Sequence, residues 1–336
     1  MSEINTEKII REFKPELKDN SVKQYVMNLK TLSSIFKSDN YKYLDDPQNV
    51  IEKLNTTINP KTSELYNFLT KRNILNAVIV FLQATISSQP PLTRVLKWPA
   101  LDDYIEERDK YNKEYKEEQK KGTKSDHQKE NWVDLEELYK MLNTMNDEIK
   151  PIKKANMEWK DMSKAQRNLI QAYTIFSIYV RIPMRNDVAG MEAISKREYN
   201  KLTEKDKEDN NYLVVERTDL WFVLNEYKTV KKYKEKTILI EDPLLKRTLR
   251  YYLKQKGMGQ LFTTAVEGNP LTRNALTKLL VRTSEKYLNK KIGTTMLRHI
   301  YLTDKYGDTK TEQKKDAHNM GHSVNTQKDI YIKENG

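Results

Sequence analysis

Three short pieces near the end of the sequence decide how the chain is read: Thr295-Met-Leu-Arg298-His299, Met320-Gly321-His322-Ser323 and Ile330-Tyr331. They put an arginine on a predicted helix over about 294–306, a Gly-His pair in a tight connection, and a tyrosine on a short helix over 325–333. Upstream, two residues stand as partners. Arg185 lies in Ile182-Pro-Met-Arg185-Asn-Asp187, just after a buried helix. Lys228 lies in Asn225-Glu-Tyr-Lys228-Thr-Val, where a strand ends.

Working outward, residues 212–240 hold the one convincing sheet. Tyr212–Val215, Trp221–Tyr227 and Thr237–Ile240 are rich in β-branched and aromatic residues, with polar turns between them. The second turn carries Lys231, Lys232, Lys234 and Lys236, a tip that is either solvated or pressed against phosphates. The rest reads as helix. Asp134 and Glu137 form a capping pair for a helix that stops at Pro151. Ser163 caps another, with Leu169, Ile170, Tyr173 and Phe176 inward. Asp242-Pro243 opens a third. Residues 271–288 make a fourth, and 294–306, 311–319 and 325–333 three more.

Residues 20–86 read as helical, with no strand signal between the helices. Val22, Tyr25, Val26, Leu29, Leu32, Ile35 and Phe36 recur at helical spacing, with Asn20 or Ser21 as cap. Asp46-Pro47 opens a short helix, another starts near Thr62 or Ser63, and one covers Arg72 to about Gln83. Lys23, Lys30, Lys71 and Arg72 fall between the apolar positions. They are either a solvated face or one jaw of a clamp around a polyanion. Residues 101–121 space glutamates and lysines three or four apart, the pattern of a solvent-exposed single helix ended by Gly122.

The expected organisation is therefore an N-terminal arm (1–19), a helical domain (20–100), a charged helical linker (101–130) and a second domain (131–336). The fold class is mainly α with a small antiparallel sheet: an all-helical first domain and a mixed α+β second one.

The chain has 336 residues and a formal charge of +12. Residues 131–336 carry 38 Lys+Arg against 28 Asp+Glu, so most of that excess lies beside the candidate residues. A basic surface concentrates polyanions. There is no cysteine and there are four histidines, which leaves no thiolate metal site and no ready multi-histidine one. No apolar stretch of about 20 residues and no signal-like start is present, so a membrane partner and secretion are not expected.

Two arginines, a lysine, a histidine and a tyrosine suffice to move a phosphodiester onto a protein hydroxyl. The pentacoordinate transition state gathers charge on the non-bridging oxygens, and preorganised donors aimed there give most of the help. Arginine meets two such oxygens with one planar fork and stays charged. A tyrosine hydroxyl, with a pKa of about 10, becomes a usable nucleophile once cations stabilise its anion. Lys228 can protonate the leaving 5′-oxygen, and His322 can add a hydrogen bond. Each piece alone is ordinary; their order and spacing together are the signal.

The set resembles the catalytic domain of the tyrosine recombinases, the lambda-integrase-type family of DNA strand-exchange enzymes. The matching pieces are Arg185 after a buried helix, Lys228 in a Lys-Thr strand end, Leu297-Arg298-His299 with Tyr301-Leu302-Thr303, Gly321-His322-Ser323, and Tyr331. The helical first domain resembles the family's core-binding domain. The Tyr-Lys-Thr hairpin and the charged helix before Trp132 are more similar to integrases of eukaryotic mobile elements and large DNA viruses than to bacterial ones.

The resemblance implies catalytic roles for Arg185, Lys228, Arg298, His322 and Tyr331, and no cofactor or metal. It implies a double-stranded DNA partner, a tetrameric synapse on that DNA, and an intracellular location with the target, nuclear in a eukaryotic host. Type IB topoisomerase-like relaxation and DNA binding without catalysis are the alternatives. Two positions depart from the family pattern. Thr295 stands where the family has a histidine, and a hydroxyl can hydrogen-bond but cannot act as a base near neutral pH. Asp187 comes one position earlier than the acidic residue the family prefers after its first arginine.

Overall fold

The computed structural model describes residues 5–89, 91–227, 230, 234–264, 268–319 and 324, with 91–98 and 314–319 as helical backbone only. The chain is mostly helical, with a small antiparallel sheet and a larger mixed one. It divides into two compact units, Met1–Thr123 and Lys124–Gly336. Among the described residues, no helix is long and apolar enough to cross a membrane.

The first unit comprises α1 (Thr6–Phe13), α2 (Asp19–Phe36), α3 (Pro47–Thr56), a hairpin of β1 (Ile58–Asn59) and β2 (Glu64–Leu65), α4 (Phe68–Ser87) and α5 (Pro91–Lys121). The Asp46 carboxylate accepts from the Asn49 amide at 3.2 Å, the cap expected from Asp-Pro. The expected cap of α2 is absent: Lys18 holds that place without a side-chain bond. The helix expected near residue 62 is instead the hairpin, and α4 opens behind the Asn67 cap. Helix α4 buries Ile74, Leu75, Ala77, Val78, Phe81 and Leu82 on all sides, as befits the centre of a bundle.

Three expectations for this unit are corrected. Residues 6–13 of the expected arm form α1, which packs Ile10 fully into the core. The charged helix, expected to be single and solvent-exposed, packs into the first unit. Leu101, Tyr104 and Tyr111 of α5 are buried, and the Tyr104 and Tyr111 hydroxyls donate to the Leu44 carbonyl (3.1 Å) and Asn55 (2.9 Å). Its i,i+4 charge pattern matches an exposed helix because only one stripe of residues is needed for packing. Finally, Lys71 is buried, its ammonium donating to Asn55 Oδ1 at 2.8 Å, and Arg72 bonds Asn112 and Asn73. Both are structural groups, whereas Lys23 and Lys30 are exposed.

The second unit comprises α6 (Asp126–Asn131), α7 (Leu135–Lys154), α8 (Lys164–Tyr179), β3 (Glu192–Ser195), α9 (Lys196–Tyr199), α10 (Glu204–Asp209), β4 (Tyr212–Val215), β5 (Leu220–Leu224), β6 (Lys236–Leu239), α11 (Pro243–Lys256), β7 (Gly259–Gln260), α12 (Arg273–Leu288) and α13 (Thr294–Asn319). The capping boxes at Asp134/Glu137 and Ser163/Gln166 and the Asp242 cap all form.

The sheet runs β6-β5-β4-β3-β7. The three predicted strands pair antiparallel as β4, β5 and β6; β4 has the predicted bounds, β5 ends three residues early at Leu224, and β6 lies one residue earlier. Strand β3 pairs parallel with β4, which makes the sheet mixed rather than antiparallel. One face places Ala193, Leu213 and Phe222 in the main core with α8; the other places Tyr212, Val214 and Val223 under Tyr199. Helix α7 continues through Pro151 to Lys154, where its last turn can absorb the missing donor. The break expected between 306 and 311 does not occur, and α13 is one continuous helix.

Candidate functional site

Arg185 is delivered by the end of α8. The helix stops at Tyr179, the chain turns through Pro183, and Met184 drops into the core. Arg185 then stands extended, its side chain exposed, as the residue before a 3₁₀ turn over Asn186–Val188. The fully buried Tyr179 fixes that position: its hydroxyl donates to the Arg185 carbonyl at 2.7 Å. Asp187 and Val188 point inward and are buried.

A second clamp ties this turn to the end of β5. Asn211 is buried, and its amide uses both ends. Its Nδ2 donates to the Asp187 carbonyl (3.0 Å) and the Glu226 carbonyl (2.9 Å). Its Oδ1 accepts from the Asn225 and Glu226 amides, each at 2.8 Å. One side chain thus sets the backbone at Arg185–Asp187 and the backbone leading to Lys228. Lys228 itself lies outside the described residues, as do His322 and Tyr331.

Arg298 comes from α13, whose Met296, Leu297 and Ile300 are buried and so fix the helix's rotation. Its Nη2 donates to the Thr295 hydroxyl at 3.2 Å, one turn back. Its Nε is buried and has no acceptor among the described residues. Thr295 is exposed and lies next to Arg298. His299 follows Arg298; partial burial, and then the Arg298 charge, hold its imidazole below the ordinary value.

Asp187 reports that these arginines share one neighbourhood. Burial pushes its carboxyl above the ordinary carboxylate range. The charges of Arg273, Arg185 and Arg298 act against that rise, and Glu226 adds to it. Burial likewise pushes the Tyr179 hydroxyl up, with Asp187 adding and Arg298 opposing. Arg185 and Arg298, far apart in sequence, therefore lie within electrostatic reach of the same carboxylate.

Arg273 is the residue that sequence reading missed. It is the first residue of α12, capped by Thr272. Asn186 anchors it by donating to the Arg273 carbonyl at 3.1 Å and to Thr277 Oγ1 at 2.9 Å. Its Nη2 meets Glu226 Oε2 at 2.5 Å. One signal was available. A cation in the first turn opposes the helix dipole, which favours acidic residues there, so an arginine at that place calls for another reason. Asn211, by contrast, gives no local signal, because its partners are set by the sheet.

The charges of Arg273, Arg185 and Arg298 thus all act on one buried carboxyl, and guanidinium donors suit a tetrahedral anion. Comparison of the chain with protein-family models, with curated proteins and with solved structures finds no match.

Proposed function

We propose that this chain is a tyrosine-type DNA strand transferase, a site-specific recombinase or integrase acting on double-stranded DNA. The Tyr331 hydroxyl attacks the phosphorus of a phosphodiester, its proton passing to water. A 3′-phosphotyrosyl bond forms, the bond to the 5′-oxygen breaks, and Lys228 gives that oxygen its proton. Arg185 and Arg298 hold the non-bridging oxygens, with His322 as a further donor. The covalent link keeps the bond energy for religation, so the scheme uses no energy-rich cofactor. Strand exchange between two duplexes takes four such sites, hence a tetramer on DNA, in whichever compartment holds the target.

The observation that supports this reading is that the charges of Arg185 and Arg298 both act on the buried Asp187 carboxyl. The excess of basic residues after position 131 supports a polyanionic substrate. The test is a nicked suicide duplex incubated with the full chain. The expected product is a covalent protein–DNA adduct whose peptide contains Tyr331 and which Tyr331→Phe does not form. An adduct on another tyrosine, or none on any duplex the chain binds, overturns the assignment.

A second reading is favoured by Thr295, whose hydroxyl is bonded to Arg298 where a base would stand. In that reading the chain binds DNA without cutting it, and the same assay decides, since binding without adduct is its signature.

A further inference from the structure

The Arg273–Glu226 pair is half exposed on both sides, and as a surface ion pair it contributes little to stability. Its placement is less ordinary. Arg273 stands at a helix start, where a cation is disfavoured. Both members are also referenced to the Arg185 turn through separate bonds. Asn186, the residue after Arg185, holds the Arg273 carbonyl. Asn211 joins the Asp187 carbonyl to both the amide and the carbonyl of Glu226. A carboxylate is thereby held against one guanidinium of a cluster otherwise suited to an anion. Within that cluster, Asp187 is buried and Glu226 is accessible.

We propose that Arg273 is a third phosphate-binding arginine of this cluster and that Glu226 occupies it in the free protein as an internal anion. An entering phosphodiester oxygen takes the guanidinium by displacing the Glu226 carboxylate. Glu226 lies two residues before Lys228. The proposal rests on the reading of the cluster as a phosphodiester site.

Inorganic phosphate is the probe, titrated into the full chain while the arginine Nε–Hε NMR signals are followed, each assigned by its Arg→Lys variant. Glu226→Gln should tighten phosphate binding about two- to fivefold, the range an exposed ion pair supplies. Glu226→Ala should do the same, and Arg273→Ala should abolish the gain. Unchanged binding in both Glu226 variants, or a gain that survives Arg273→Ala, overturns the proposal. Arg185→Ala and Arg298→Ala separate the two levels. If they weaken phosphate binding while the Glu226 variants are silent, only the Arg273–Glu226 latch falls. If no arginine variant changes it, the anion-site reading falls as well.

Discussion

The Tyr179 hydroxyl donates to the Arg185 carbonyl at 2.7 Å, so the last residue of a buried helix sets the first arginine of the site. Tyr179→Phe keeps the ring and removes the donor, leaving that carbonyl without this partner. We expect a loss of about 1–3 kcal/mol in urea unfolding. Adduct formation on a suicide duplex should fall as well, because Arg185 loses its fixed backbone. Unaltered stability and cleavage would show that the turn is held by packing alone.

Asn211 satisfies four backbone groups at once. Asn211→Ala strands two carbonyls and two amides, and should destabilise the second unit by roughly 2–4 kcal/mol. Amide hydrogen exchange should rise first at Asn225 and Glu226, whose N–H groups the side chain accepts. Protection unchanged at both would contradict the clamp.

Arg185→Ala and Arg298→Ala should each lower adduct formation about 100- to 1000-fold, the usual effect of removing one oxyanion donor. Duplex affinity should change far less, since many basic residues share it. Equal losses of binding and cleavage would assign the two arginines to docking rather than chemistry.

Asp187 makes stability depend on pH with a definite sign. Burial raises its carboxyl in the folded state. The group's contribution is therefore whole below the unfolded carboxylate value of about 3.9 and is lost as pH rises through the folded one. Asp187→Asn removes that loss. Unfolding at neutral pH should find the variant more stable than the parent, with the gap closing toward pH 4 and below. A gap that widens on acidification would reverse the assignment.

Thr295 is exposed and bonded to Arg298. Thr295→His should fold normally and raise the single-turnover cleavage rate near neutral pH, because imidazole can take the tyrosine proton. Slower cleavage by a variant that still binds duplex would show that Arg298 depends on the hydroxyl.

Much of the fold was legible in the sequence because its signals are local. Asp46-Pro47, Asp134 with Glu137, Ser163 and Asp242-Pro243 each cap a helix through a bond to a residue three positions away. The strand at Tyr212–Val215 follows from its own composition. Arg185 and Arg298 were singled out by motif order, and the charges of both act on the Asp187 carboxyl.

What the tertiary structure alone decided has partners far along the chain. Strand β3 is four residues with two apolar side chains, and it becomes a strand by pairing with β4 on one edge and β7 on the other. The charged helix α5 reads as exposed until Tyr104 and Tyr111 find Leu44 and Asn55. Lys71 reads as a surface cation until the bundle closes over it. Arg273 acquires a role only beside Glu226 and the Arg185 turn. A cap is fixed by neighbours a few residues off, whereas a packed face or a charge cluster exists only after distant segments meet.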